Sequence, residues 1–256
     1  MNDELLHMAL LAAYANMYLS GARVPFPPMP ELYAARFLPE GSAAADGETE
    51  WFSSLSRGGC RELSLAFEYG ADDWARTAFA NGVAGWEIVC RYDNEVRGWR
   101  RYWENRLADG TFRWFATYTE NKEPLAHTFR ERIGAQARFE HLQALLGMLA
   151  SLSGAIHAYD WKARFTAMHD DMDYFRSRKL IDASELPNVF SDEARKLFAA
   201  ARLAWVFGGM GSWNDEPSAL AARAGMETMY NDLTGELYTA VLNCLRCAVG
   251  KESIEV

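Results

Sequence analysis

The spacing of the apolar residues changes along this chain, and that change limits most strongly what it can fold into. From residue 61 apolar and polar residues alternate, with Leu63, Leu65 and Phe67 on one side, as one face of a half-buried strand requires. Beyond Pro124 the apolar residues recur every three or four positions almost to the end, which is the spacing of helices. The sequence therefore predicts an α+β protein with its strands in the first half.

The strand region extends past this first alternation. A short helix is predicted at 72–81, and residues 86–92 alternate again. Residues 96–107 fit either a strand or a helix by apolar spacing alone. The Asp109-Gly110 pair that follows favours the strand, because it readily adopts the positive φ angles of a two-residue hairpin turn. We predict a central antiparallel sheet of about four strands between residues 61 and 119.

Helices are expected on both sides of this sheet. Helical spacing with two acids in the first turn predicts an N-terminal helix over 3–19, and four prolines within 25–30 predict a loop or strap after it. The C-terminal half is larger and helical, with helices predicted at 125–157, 161–178, 192–207, 217–229 and 233–249. Glycines in the first of these leave open a division into two helices that meet near 147–154. We expect a helix and sheet region over 1–122 and a helical region over 123–256, packed together as one composite unit.

The charge and the first residues argue against several classes of partner. A formal net charge of -9 repels phosphate backbones, so nucleic acid is not expected to bind. The chain starts Met1-Asn2-Asp3-Glu4, with acids where an export signal carries basic residues. No apolar run is long enough to cross a membrane, and the four cysteines are few for this length. We expect a cytoplasmic protein with reduced thiols, no membrane partner and no cofactor.

Aromatic and arginine residues are concentrated between Trp99 and Tyr118. Three interpretations are open: a buried sheet face, a protein interface, or a surface that stacks on single-stranded nucleic acid. The acidic total disfavours the third. Trp and Arg are favoured at the energetic centres of protein interfaces, and Trp99, Arg101 and Trp103 share one face of the predicted strand.

The adjacent His169-Asp170 pair offers ligands for a divalent cation. It resembles the central motif of the helical metal-dependent phosphohydrolases called HD-domain proteins, which add an upstream His and a downstream Asp. That resemblance implies metal ligands at His141, His169 and Asp170, with Asp215 or Asp232 completing the set and a bound hydroxide as nucleophile. The other interpretation is a solvated acidic helix face with His169 on the surface.

A glycine-rich segment, residues 207–215, reads Phe-Gly-Gly-Met-Gly-Ser-Trp-Asn-Asp. It lacks the Lys-Ser/Thr ending of a P-loop and follows no predicted strand, so a nucleotide site is disfavoured. Its predicted local role is to end the preceding helix, pack Trp213 on the core and cap the next helix. The segment resembles one in small uncharacterised bacterial proteins, some of which look like immunity partners of secreted toxins.

This resemblance implies a binding protein rather than an enzyme: a cytoplasmic immunity-type protein that neutralises a toxin or effector by occlusion. The oligomeric state is left open. An acidic surface would steer it towards a basic toxin domain. The predicted partner-binding residues are Trp99, Arg101, Trp103, Trp213 and Asp215. The alternative is an HD-like phosphohydrolase using His141, His169 and Asp170.

Overall fold

The chain consists of two compact units that interleave along the sequence. The sheet unit comprises residues 3–68, 83–130 and 249–256, and the helical unit comprises residues 1–2, 69–82 and 131–248. The computed structural model describes residues 1–41, 43–68, 70, 73–83, 85–125, 134–174 and 185–254.

The sheet unit is built on a six-stranded mixed sheet with the strand order β2-β1-β6-β5-β4-β3. The strands are β1 (Leu32–Leu38), β2 (Ala45–Asp46), β3 (Glu62–Phe67), β4 (Trp86–Arg91), β5 (Val96–Ala108) and β6 (Thr111–Asn121). All neighbouring strands are antiparallel except β1 and β6, which are parallel. The α+β class is confirmed, but the expected four-stranded antiparallel sheet is too small, because β1 and β2 extend it beyond β6.

The region that was ambiguous between strand and helix is a strand. β5 places Trp99, Arg101 and Trp103 on the inner face, while Arg100 and Tyr102 alternate with them on the exposed face. The predicted hairpin turn joins β5 to β6, with positive φ angles of 49° at Asp109 and 77° at Gly110.

One helix packs along β3 and β4 in the sheet unit. α1 (Asp3–Leu19) confirms the predicted N-terminal helix, and it is buried from Glu4 to Met17 except at Leu6. The Asn16 side chain bonds to the backbone of β3 much as a neighbouring strand would. It accepts from the Leu63 amide at 2.8 Å and donates to the Leu63 carbonyl at 2.9 Å. A second helix, α2 (Glu48–Arg57), was not predicted.

The described part of the helical unit contains helices and no strand of the sheet, as expected from the apolar spacing. The helices are α3 (Asp73–Arg76), α4 (Ala135–Ala155), α5 (Tyr159–Tyr174), α6 (Asp192–Leu203), α7 (Glu216–Arg223) and α8 (Glu227–Ala248). The predicted extensions over 126–133 and 175–178 lie outside the described residues.

α4 runs unbroken through Gly147 and Gly154, where a division into two helices was considered. Both glycines face α5: a Cβ at Gly147 would lie 3.4 Å from the His169 ring, and one at Gly154 would lie 3.3 Å from the Lys162 side chain. These glycines therefore allow two helices to approach closely.

No helix within the described ranges is both long and apolar enough to cross a bilayer.

Candidate functional site

Three predicted contact residues of the sheet unit lie inside the fold. Trp99 and Trp103 are 2% and 4% exposed. The Arg101 guanidinium is 3% exposed, and its Nε lies 2.9 Å from Glu4 Oε2. It also donates to the carbonyl of Trp86 at 3.1 Å and stacks over the Trp86 ring at 4.8 Å. Arg101 and Trp103 contact Glu4 and His7 of α1, whereas Trp99 meets Trp51 of α2.

The two histidines of the alternative metal set lie beside different carboxylates. His141 Nε2 on α4 lies 3.6 Å from Glu236 Oε1, and His169 Nδ1 on α5 lies 3.3 Å from Asp170 Oδ1. Among the described residues, no group of three or more His, Cys, Asp or Glu side chains is arranged to hold a metal ion. The structure therefore does not assemble His141, His169 and Asp170 into such a set among these residues.

The glycine-rich segment forms a loop between α6 and α7 that its own polar side chains close. The Asn214 side chain accepts from the Gly208 amide at 3.0 Å and donates to the Gly208 carbonyl at 2.9 Å. Ser212 Oγ donates to the same carbonyl at 3.0 Å, and Asp215 accepts from the Gly211 amide at 2.8 Å. These bonds fix the loop backbone over a span in which glycine alone would leave it free.

Trp213 anchors this loop to the helical unit, as the sequence predicted. Its side chain is fully buried and meets the Phe165 ring edge to face at 4.9 Å. Its indole Nε1 donates to Thr234 Oγ1 at 2.8 Å, and its backbone carbonyl accepts from the Tyr230 hydroxyl at 2.8 Å. The loop is therefore tied to α8 through both its backbone and its largest side chain.

The tip of the loop presents Met210, whose side chain is 100% exposed. It stands between Gly209 and Gly211, and the positive φ of 77° at Gly211 turns the chain back. A fully solvated thioether on an anchored loop places apolar surface in water without a packing role. Binding residues are often carried on loops, and a flexible methionine side chain can adapt to an irregular apolar surface.

An acidic cleft of about 420 Å³ lies beside the loop. Its lining includes the carboxyl residues Asp160, Asp215 and Glu216, together with the exposed ring of Tyr159. Arg164 also lines it and stacks over the Trp161 ring at 4.8 Å. Three carboxyl residues and one arginine give the lining an excess of acidic side chains, and acidic groups attract cations.

A methionine-lined groove of about 870 Å³ lies between α4 and α8. Met148 and Met229 line it and are 44% and 50% exposed. Its lining reaches Ala155 at the end of α4, and that of the acidic cleft begins two residues later at His157. The two linings therefore come within two residues of each other in sequence, with Met148 and Met229 in the groove and Tyr159 in the cleft.

The sheet unit holds a buried polar chain that sequence patterns did not indicate. The fully buried His7 lies with Nδ1 2.8 Å from the Tyr118 hydroxyl and with Nε2 3.5 Å from Glu48 Oε1. Burial lowers the pKa of His7 and raises that of Tyr118, so both are neutral near pH 7. Burial acts to raise the pKa of Glu48, but His7 and its own amide lower it overall. Tyr118 can therefore donate to His7, which in turn faces an ionised carboxylate.

That carboxylate lies at a groove of about 1010 Å³ in the sheet unit. The groove is bordered by residues 25–29 of the proline-rich strap, by β1 and by the start of α2. Sequence patterns predicted neither β1 nor α2, and His7 was not among the residues expected to have a function. Only the folded chain brings these residues together.

The chain was also compared with known proteins. No family model, no curated protein and no solved structure matches it.

Proposed function

We propose that this chain is a cytoplasmic binding protein of immunity type, which neutralises a toxin or effector by covering it. One observation carries the proposal: an anchored loop presents the fully exposed Met210 beside an acidic cleft. Segment 207–215 also resembles one in small uncharacterised bacterial proteins, some of which look like immunity partners of secreted toxins, and this points in the same direction.

Met210 provides the apolar part of the proposed contact. Burying a side chain of this size against a partner contributes about 1.5–3 kcal/mol. Because Asn214 and Asp215 already hold the loop backbone, little additional ordering is needed on binding. At about 1.4 kcal/mol per tenfold change, this contact would change the dissociation constant by roughly ten- to a hundredfold.

The acidic cleft provides the selectivity for a basic partner. Its carboxylates would receive a lysine or arginine side chain, and the net charge of -9 would accelerate the encounter. Of the residues chosen from the sequence, Asp215 lies at this surface, whereas Trp213 supports it from below. Trp99, Arg101 and Trp103 pack inside the sheet unit and are not needed for this contact.

The test is co-expression with the product of the adjacent gene, since an immunity protein is expected beside its toxin. We expect the two chains to copurify in a fixed ratio, and this chain to restore growth of cells that make the partner. Met210→Asp should weaken the complex at least about tenfold by placing a charge in a desolvated contact. Raising the salt concentration should weaken it further.

Phe79→Asp is the matched control, because Phe79 is 70% exposed in the same unit and lies apart from the loop and cleft linings. It should bind like the wild type. The proposal fails if the adjacent gene product neither copurifies nor is neutralised. Equal affinity of the Met210→Asp and Phe79→Asp proteins would refute the assignment of the surface.

A further inference from the structure

The groove of the sheet unit carries one charge that its surroundings leave unbalanced. Among the described residues that line it, four are charged: Arg36, Asp46, Glu48 and Arg106. Arg36 Nε lies 3.2 Å from Asp46 Oδ1, and Arg106 pairs with Glu104. Each arginine of the lining therefore has a carboxylate partner, and Glu48 supplies the remaining negative charge of the groove.

The buried polar chain behind Glu48 does not supply the missing positive charge. His7 is fully buried, and burial lowers its pKa, so the ring is neutral near pH 7. With the Tyr118 hydroxyl donating to Nδ1, the ring proton lies on Nε2, which is 3.5 Å from Glu48 Oε1. Within the described part of the chain, Nε2 has no well-formed hydrogen bond. The Glu48 side chain, which is 23% exposed, is therefore open to a second donor that enters from the groove.

Apolar surface adjoins this carboxylate. The Phe26 ring lines the groove and meets the His7 ring edge to face at 5.7 Å. It also packs on the Tyr14 ring at 5.3 Å, and the flanking Pro25 and Pro27 restrict the backbone of the strap. This apolar wall is therefore in place before a ligand binds, which lowers the ordering cost of binding.

We propose that this groove binds a small-molecule monocation, a primary amine on an aromatic or aliphatic body, with Glu48 accepting from the ammonium group and the strap contacting the body. One carboxylate suits an ammonium group better than a divalent metal ion, which takes several oxygen ligands. The groove volume of about 1010 Å³ is at the upper end of the range for small-molecule pockets. The site is independent of the proposed binding surface, which lies in the helical unit.

The test is a titration of the isotope-labelled full chain with phenethylamine, followed through the backbone amide signals in NMR spectra. We expect saturable shifts of the signals from residues 34–36 and 46–49, which border the groove. Phenethyl alcohol has the same body without the charge. It should bind at least about tenfold more weakly, because a hydrogen bond to a charged group is lost.

Two glutamines on α2 locate the contact. Glu48→Gln keeps the size of the side chain but removes its charge, and should weaken phenethylamine binding at least about tenfold. Glu50→Gln is the matched control, since it makes the same change on the same helix at an exposed site outside the groove lining. This variant should bind phenethylamine like the wild type.

If the Glu48→Gln protein does not fold, the comparison of amine and alcohol on the wild-type chain still decides. Equal binding of the amine and the alcohol would overturn the proposal. Equal affinity of the Glu48→Gln and Glu50→Gln proteins, or shifts confined to the acidic cleft of the helical unit, would overturn it as well.

Discussion

The hydrogen bond between Trp213 and Thr234 anchors the glycine-rich loop, and its strength can be isolated with a double-mutant cycle. Both side chains are fully buried, and the indole nitrogen lies 2.8 Å from the threonine oxygen. Thr234→Val keeps the shape but leaves the indole N–H without its acceptor, which should cost about 1–3 kcal/mol. Trp213→Phe removes the donor and part of the ring packing, and should cost about 2 kcal/mol, less than truncation to alanine.

In the Trp213→Phe background the Thr234 hydroxyl has no indole N–H to accept from, so replacing Thr234 with valine should add little to the cost. We therefore expect a coupling energy of about 1–2 kcal/mol between the two positions. Urea unfolding followed by far-UV circular dichroism gives the four free energies of unfolding, compared at constant m-value. Thr228→Val, the same change at an exposed site of α8, should stay within about 0.5 kcal/mol of wild type. Additive single effects, within about 0.5 kcal/mol, would refute the reasoning.

Three further predictions concern the rest of the fold. Burial lowers the pKa of His7 below 6.5, so the unfolded chain takes up a proton before the folded one does. Stability should therefore fall as the pH drops below about 6.5, and urea midpoints should show a weaker fall in His7→Gln. Gly98→Ala should lower the free energy of unfolding by at least about 2 kcal/mol, measured by thermal unfolding, since its Cβ would lie 2.3 Å from the buried Glu87 carboxyl group. Gly235→Ala in α8 has open space around it and should raise the free energy of unfolding by about 1 kcal/mol. Gly110→Ala should lower the free energy of unfolding by about 1 kcal/mol, seen as a lower urea midpoint, because φ is 77° there. An unchanged midpoint would argue against this turn.

The features that sequence patterns predicted are those encoded by neighbouring residues. Alternation over 61–69 and 86–92 predicted the strands β3 and β4 from local spacing alone. The half-buried face expected for the first strand is wrong, because β3 is buried at every position and β4 at every position except Arg91. The Asp109-Gly110 turn is encoded in two residues, and it decided the conformation of 96–107 correctly. Helical spacing after Pro124 is equally local.

The features that were missed depend on partners far along the chain. β1 carries apolar residues on both faces, and its pairing with β6 on one side and β2 on the other makes it a strand. The aromatic stretch showed that Trp99 and Trp103 share a face, but their neighbours could not be read from spacing. That face packs against Glu4 and His7 of α1 at Arg101 and Trp103, and against Trp51 of α2 at Trp99.

The chemistry of the glycine-rich loop favours recognition over catalysis. A catalytic loop needs a polar group directed towards its substrate, but Ser212 and Asn214 use their side chains to bind Gly208 of the same loop. Asp215 likewise accepts from the Gly211 amide. Ser212 and Asn214 thus hold the backbone, while Met210 stands fully exposed at the tip, a flexible apolar group suited to filling a partner's surface. In the proposed contact Met210 meets the partner, and the exposed Asp215 adds its charge at the acidic cleft.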